Sequence, residues 1–202
     1  MSAAGGWASA SAREFAKKTS SETFEVFAVQ PRPDGTLAGE YAVHASNGCN
    51  DKRAVTFSRT GDVDVNSLPD PATQPPRVVS PAEALRGRYH ETENFPNGYK
   101  NEYDYVVRTD CLRSGDRCMS DFHSPGSNTP LVFGSGNWIY DDEYDSPCSS
   151  GGTGHVKDTA EYPLPAPPQD PITLLTGHGH QEVTGSHCIS QDFDDKFVRT
   201  GD

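Results

Sequence analysis

From Gly87 onward the chain reads as short apolar and aromatic runs broken by turn residues. GRYHE (Gly87–Glu91) leads into a turn at Pro96-Asn97-Gly98. Runs at Tyr103–Thr109, Arg117–His123, Pro130–Phe133 and Asn137–Tyr140 follow, with Ser135-Gly136 as a tight turn between the last two. His155–Tyr162, Ile172–Val183 and Phe193–Val198 complete the series. β-Branched and aromatic residues bounded by Gly, Pro and Asn predict strands. About eight of them, spaced by roughly 8–15 residues with little room for helices, predict an all-β antiparallel sandwich or up-and-down barrel.

The front half is less regular. EVFAV (Glu25–Val29) ends in PRPDG and predicts a strand and a turn; Ala38–Ala45 and Ala54–Ser58 predict two more strands. Residues 1–23, small and polar without a sustained apolar period, predict a flexible tail in which AREFAKK forms at most a helical turn. SLPDPATQPP carries four prolines and predicts an extended linker over 67–80. Ser80 ahead of Pro81 then fits the N-cap of one helical turn, opening a complete β domain over 81–202.

A repeat links the two halves. Thr36–Asp62 and Thr173–Asp202 align with three single-residue gaps: Gly39 falls on Gly177, Cys49 on Cys188, and the FxRTGD of Phe57–Asp62 on that of Phe197–Asp202. Residues 24–66 are therefore expected to be a truncated copy of the unit that 81–202 completes. Phe57 and Phe197 are expected to fill equivalent places, and Arg59 and Arg199 to pair with a carboxylate or stack on a ring.

Composition narrows the function. With 29 acidic against 17 basic residues the formal charge is −12. No basic stripe is present to release counterions from a phosphate backbone, so a nucleic-acid partner is excluded and an anionic membrane surface disfavoured. No apolar run approaches the ~18–20 residues that cross a bilayer. The N-terminal residues lack a basic region followed by an apolar core, so they do not read as a secretory signal. A natural start at Met1 would then place the chain in the cytoplasm. The cysteines point the other way.

Cys111 and Cys118 flank LRSGDR, a hairpin loop, and can face one another across two strands. Cys148 and Cys188 form the natural second pair, leaving Cys49 as a free thiol whose partner the truncated copy lacks. The alternative is five free thiols in a reducing cytoplasm. Zinc is the poorer rival, since no CxxC or CxxxC spacing occurs. Disulfides predict an oxidising, extracytoplasmic compartment, reached through an upstream segment that these residues do not include.

No nucleophile elbow, phosphate-binding glycine loop, HExxH or kinase motif is found, so no catalytic residue is expected. The one constellation is GHGHQEVTGSHC: His178 and His180 share a strand face and, with His187, could hold a divalent metal. The acidic run Ile139–Asp145 reads as a solvated loop, with Ca²⁺ binding as the alternative. Among the strand aromatics, Tyr105, Phe133, Trp138 and Tyr140 are candidates for a pocket wall.

Gly87 with Tyr89, CLRSGDRC, PLVFGSGNW and the closing FVRTGD together resemble the extracytoplasmic, sensor-type β domain of mycobacterial membrane-anchored serine/threonine-protein kinases and related secreted or lipid-anchored proteins. The resemblance covers about 81–202 plus the partial copy. It implies a non-enzymatic sensor or ligand-binding domain outside the membrane, without a cofactor. Its partner would be a small molecule, peptide or envelope component. Any membrane attachment would run through a segment not in this sequence. A metal-binding barrel built on the His-x-His strand is the alternative.

Overall fold

The computed structural model describes residues 7–15, 19–62, 64–148, 151–185 and 188–202. Two antiparallel β structures make up the fold. Strands β1 (Trp7–Phe15), β2 (Thr19–Pro31), β3 (Leu37–Ala45) and β4 (Asn50–Phe57) form one antiparallel sheet in that order. The strands β5 (Gly87–Asn94), β6 (Lys100–Cys111), β7 (Cys118–Ser124), β8 (Ser127–Gly134), β9 (Asn137–Pro147), β10 (Thr153–Pro163), β11 (Leu174–Thr184) and β12 (Gln191–Gly201) form a second. Each pairs with its chain neighbour, and β12 closes on β5. This is an eight-stranded up-and-down barrel, the closed solution that leaves no sheet edge unpaired.

The barrel is a cup. At its lower end a 3₁₀ turn, Pro81–Ala84, is fixed by a capping box in which the Ser80 hydroxyl accepts from the Ala82 amide and Glu83 accepts from the Ser80 amide. The Ile172 amide donates to the Ala84 carbonyl at 2.9 Å, and Leu85 and Ile172 are both fully buried in the core. Above this plug the interior is packed with side chains from alternate positions of every strand. Phe122 and Phe197 meet at 4.8 Å, and Phe133 and Trp138 at 4.7 Å. The Trp138 indole donates to Ser120 Oγ at 3.0 Å, so its one polar atom is satisfied inside the core. Each such aromatic burial contributes roughly 1.5–3 kcal/mol.

The alternation the sequence hides in its glycines is clearest on β11. Leu175, Gly177 and Gly179 face inward while His178 and His180 face out. A Cβ on Gly177 would collide with the Tyr162 ring, and one on Gly179 with the Phe193 ring. The two glycines therefore leave room for large rings that lie across β11 inside the barrel.

Several sequence expectations change. Residues expected as a tail include strand from Trp7, with β1 paired to β2 from Trp7↔Phe27 to Phe15↔Thr19. An edge strand pairs through its backbone and needs no apolar period, which is why the pattern missed it. The acidic run 139–145, expected as a solvated loop, is part of strand β9 and presents alternating faces. The Pro-rich segment is also docked: the Val78 amide donates to the Arg113 carbonyl, and Arg113 Nε donates to the Pro75 carbonyl at 2.7 Å.

The front sheet lies on the outer barrel wall. Phe24 is fully buried against Met119 and Val132, and Glu22 takes both guanidinium arms of Arg117. The matched hairpins share local geometry: Arg59 pairs with Asp62, and Arg199 with Asp202. The two phenylalanines do not share surroundings. Phe197 is 1% exposed inside the barrel, whereas Phe57 is 46% exposed. Leu37, Gly39 and Phe57 share a sheet face with Phe27 and Tyr41. The corresponding face of β11 and β12 lines the barrel interior. In the front sheet that face is left open, because four strands cannot close over it.

Candidate ligand-binding cavity

The upper half of the barrel is not filled. A cavity of about 610 Å³ opens at the end formed by the β5–β6 and β7–β8 connections. It falls within the range of roughly 300–1,000 Å³ common for small-molecule sites. Its width has a local cause. β8 and β9 pair only at Val132↔Ile139, Phe133↔Trp138 and Gly134↔Asn137, next to the Ser135-Gly136 turn, whose residues both have positive φ. Above this the two strands part, and Pro130, which has no N–H to give a ladder, lies in the separated stretch. The disulfide Cys148–Cys188, with Cα atoms 5.6 Å apart, ties the β9–β10 and β11–β12 connections on the rim. Cys111–Cys118, 4.0 Å apart as directly opposed residues, closes the lower end of β6 and β7. Cys49 is free and exposed.

The wall is acidic and phenolic. Strand alternation brings Glu91 and Glu93 of β5, Asp158 of β10 and Asp195 of β12 to the inner face, among Tyr103, Tyr105, Tyr140, Tyr144 and Tyr162. Ladder register sets like charges opposite one another: Glu93 faces Asp195 across β5 and β12, and Asp142 faces Asp158 across β9 and β10. Directly opposed like charges destabilise a sheet. The Tyr162 hydroxyl reaches across Gly177 to donate to Asp195 Oδ2 at 2.5 Å. Tyr144 donates to Asp158 Oδ2 at 3.4 Å, and Asn101 to Glu93 Oε2 at 2.6 Å. The second oxygens, Asp158 Oδ1 and Asp195 Oδ1, are buried without a partner.

Burial raises the pKa of all four acids. Burial, then the charges of Asp195 and Glu93, pushes Glu91 up to about 8. Burial, then Glu93, pushes Asp158 up to about 7. Asp195 is likewise pushed up to about 7 by burial, against the Tyr162 hydrogen bond, which favours its charged form. Glu93 is raised by burial, with Asn101 pulling the other way. The cavity therefore disfavours bare negative charge, and a positive charge placed in it would be welcome.

Of the four aromatics expected on a pocket wall, Tyr105 and Tyr140 are on it, while Phe133 and Trp138 lie below it in the packed core. His178 and His180 do share a face, but it is the outer one. His178 pairs with Asp194 at 2.9 Å and His180 with Asp192 at 2.7 Å, each its direct cross-strand neighbour. Among the described residues no group of three His, Cys, Asp or Glu side chains is placed to hold a metal ion; His187 lies outside the described residues. The acids were missed from the sequence. Their signal was parity: Tyr89, Glu91 and Glu93 share one strand face, as do Val156, Asp158, Ala160 and Tyr162, and Phe193, Asp195 and Phe197.

Among the described residues no helix is long and apolar enough to cross a membrane. Compared with known proteins, the chain matches no family model, no curated protein and no solved structure.

Proposed function

We propose that this protein is a ligand-binding barrel that works outside the cytoplasm and takes a small molecule into its open end. The observation that carries the reading is the two-tiered interior. Its lower half is packed with buried side chains, while its upper half is an open cup in which two buried carboxylate oxygens, Asp158 Oδ1 and Asp195 Oδ1, lack partners. A chain selected for stability alone would fill such a space with apolar side chains. Two disulfides, one of them on the rim, favour an oxidising compartment. A sensor-type role, as the sequence resemblance implies, would use the cup to register a compound in the cell envelope. The size of the cavity favours a small molecule over a peptide.

Thermal-shift screening of small-molecule mixtures tests this, with Thr129→Trp as the blocked control because Thr129 lines the cavity. Compounds that stabilise the wild type should lose their effect when the indole occupies the cup. Compounds that stabilise both proteins equally would place binding elsewhere and overturn the assignment.

A further inference from the structure

We propose that the cavity selects a small organic cation, a protonated amine or amidine carried on an aromatic or aliphatic body; this rests on the reading of the open end as a ligand site. Four carboxylates line the cavity, and among the described residues no Lys, Arg or His does. Asp158 and Asp195 are only 6% and 5% exposed, yet each leaves one carboxylate oxygen unpartnered. A buried carboxylate without a partner is costly, and either a proton or a cation relieves it.

The rest of the wall fits the same guest. Phenol rings of Tyr103, Tyr105, Tyr140 and Tyr144 surround the acids, and aromatic faces attract cations that have shed part of their water. Phe95 and Phe193, tilted against each other with ring centroids 5.9 Å apart, line the cavity and offer an apolar contact for the body of the guest. A bare metal ion fits less well. It needs oxygen ligands converging at about 2–2.6 Å, and no such group of three is found among the described residues.

Binding is coupled to protons. Asp158 is faced by Asp142 and Tyr144 of β9, Gln181 of β11 and, across the cavity, Glu93. Asp195 is faced by Tyr162 of β10 and by Glu91 and Glu93 of β5, and it also feels the charges of Asp158 and Asp194. All of these are acidic or neutral, so an arriving ammonium displaces a carboxyl proton to solvent, and affinity rises with pH until the acids are ionised.

Calorimetry on the full chain with both disulfides intact tests the proposal with 2-phenylethylamine, 2-phenylethanol and 3-phenylpropanoate. Near pH 8 the amine should bind about tenfold more tightly than the alcohol, and the carboxylate least. Its advantage should shrink by about tenfold near pH 5, where the cavity acids are protonated. Asp158→Asn with Asp195→Asn should weaken the amine by about tenfold and the alcohol by much less. If that double variant fails to fold, Glu91→Gln makes the same comparison. Equal affinity for amine and alcohol, or a variant that keeps the amine, overturns cation selection and leaves the cavity a ligand site. Failure of all three compounds to bind folded protein overturns both readings.

Discussion

Replacing Glu91 by Gln should make this protein more stable at neutral and alkaline pH, because the wild-type carboxyl is buried at a cost. Glu91 is 8% exposed, and burial followed by the charges of Asp195 and Glu93 lifts it from 4.5 to about 8. In the unfolded chain it ionises near its ordinary value, about 4.3. Between these values the folded state holds a proton that the unfolded state has released, so rising pH favours unfolding. The carboxyl is without penalty below about pH 4.5, becomes steadily more costly up to about pH 8, and costs a constant amount above that. At ~1.4 kcal/mol per pH unit the ceiling is roughly 5 kcal/mol. Dielectric relaxation around the open cavity reduces the expected effect to roughly 2 kcal/mol. Glutamine keeps the shape and cannot ionise. Urea unfolding at intervals from about pH 4.5 to 8.5 should show wild type losing stability as pH rises, with Glu91→Gln more stable by roughly 2 kcal/mol at the upper end and equal at the lower. Parallel pH profiles, or a variant less stable near pH 8, would refute the reasoning.

Other perturbations separate scaffold from site. Gly177→Ala should cost roughly 1–3 kcal/mol in urea unfolding by driving a methyl into the Tyr162 ring. The adjacent exposed His178→Ala should change stability by less than ~1 kcal/mol, since its pairing with Asp194 is screened by solvent. Removing Cys111–Cys118 as paired serines should lower stability by about 2.5 kcal/mol, and removing Cys148–Cys188, which closes a longer loop, by about 4 kcal/mol. Arg117→Ala should raise amide exchange in β2 and β3 about tenfold while leaving the barrel strands unchanged, because Arg117 and Glu22 join the front sheet to the wall.

The barrel was legible because its strands carry aromatic and β-branched residues between Gly-, Pro- and Asn-marked turns, and because a Ser80–Pro81 cap reads the same in sequence and structure. Cys111 and Cys118 were legible as hairpin neighbours. The site was harder. GHGH drew attention to its histidines, which face solvent, when its glycines shape the interior by yielding space to Tyr162 and Phe193. Acids such as Glu91 and Asp195 look like surface residues in any composition-based reading. Only the side-chain parity of each strand, set by closure of the whole barrel, reveals that they point inward. The FxRTGD repeat carried its Arg–Asp pairing into both copies, yet not its packing, since burial of Phe197 requires the strands that close the barrel around it.

The most direct test of an acidic, cation-selecting cavity is a carboxyl-carbon NMR titration of Asp158 and Asp195, free and with 2-phenylethylamine. Both should titrate near 7 in the free protein, and the amine should move both midpoints down by about one unit or more. Midpoints near the ordinary aspartate value of about 3.9, unmoved by the amine, would contradict the account.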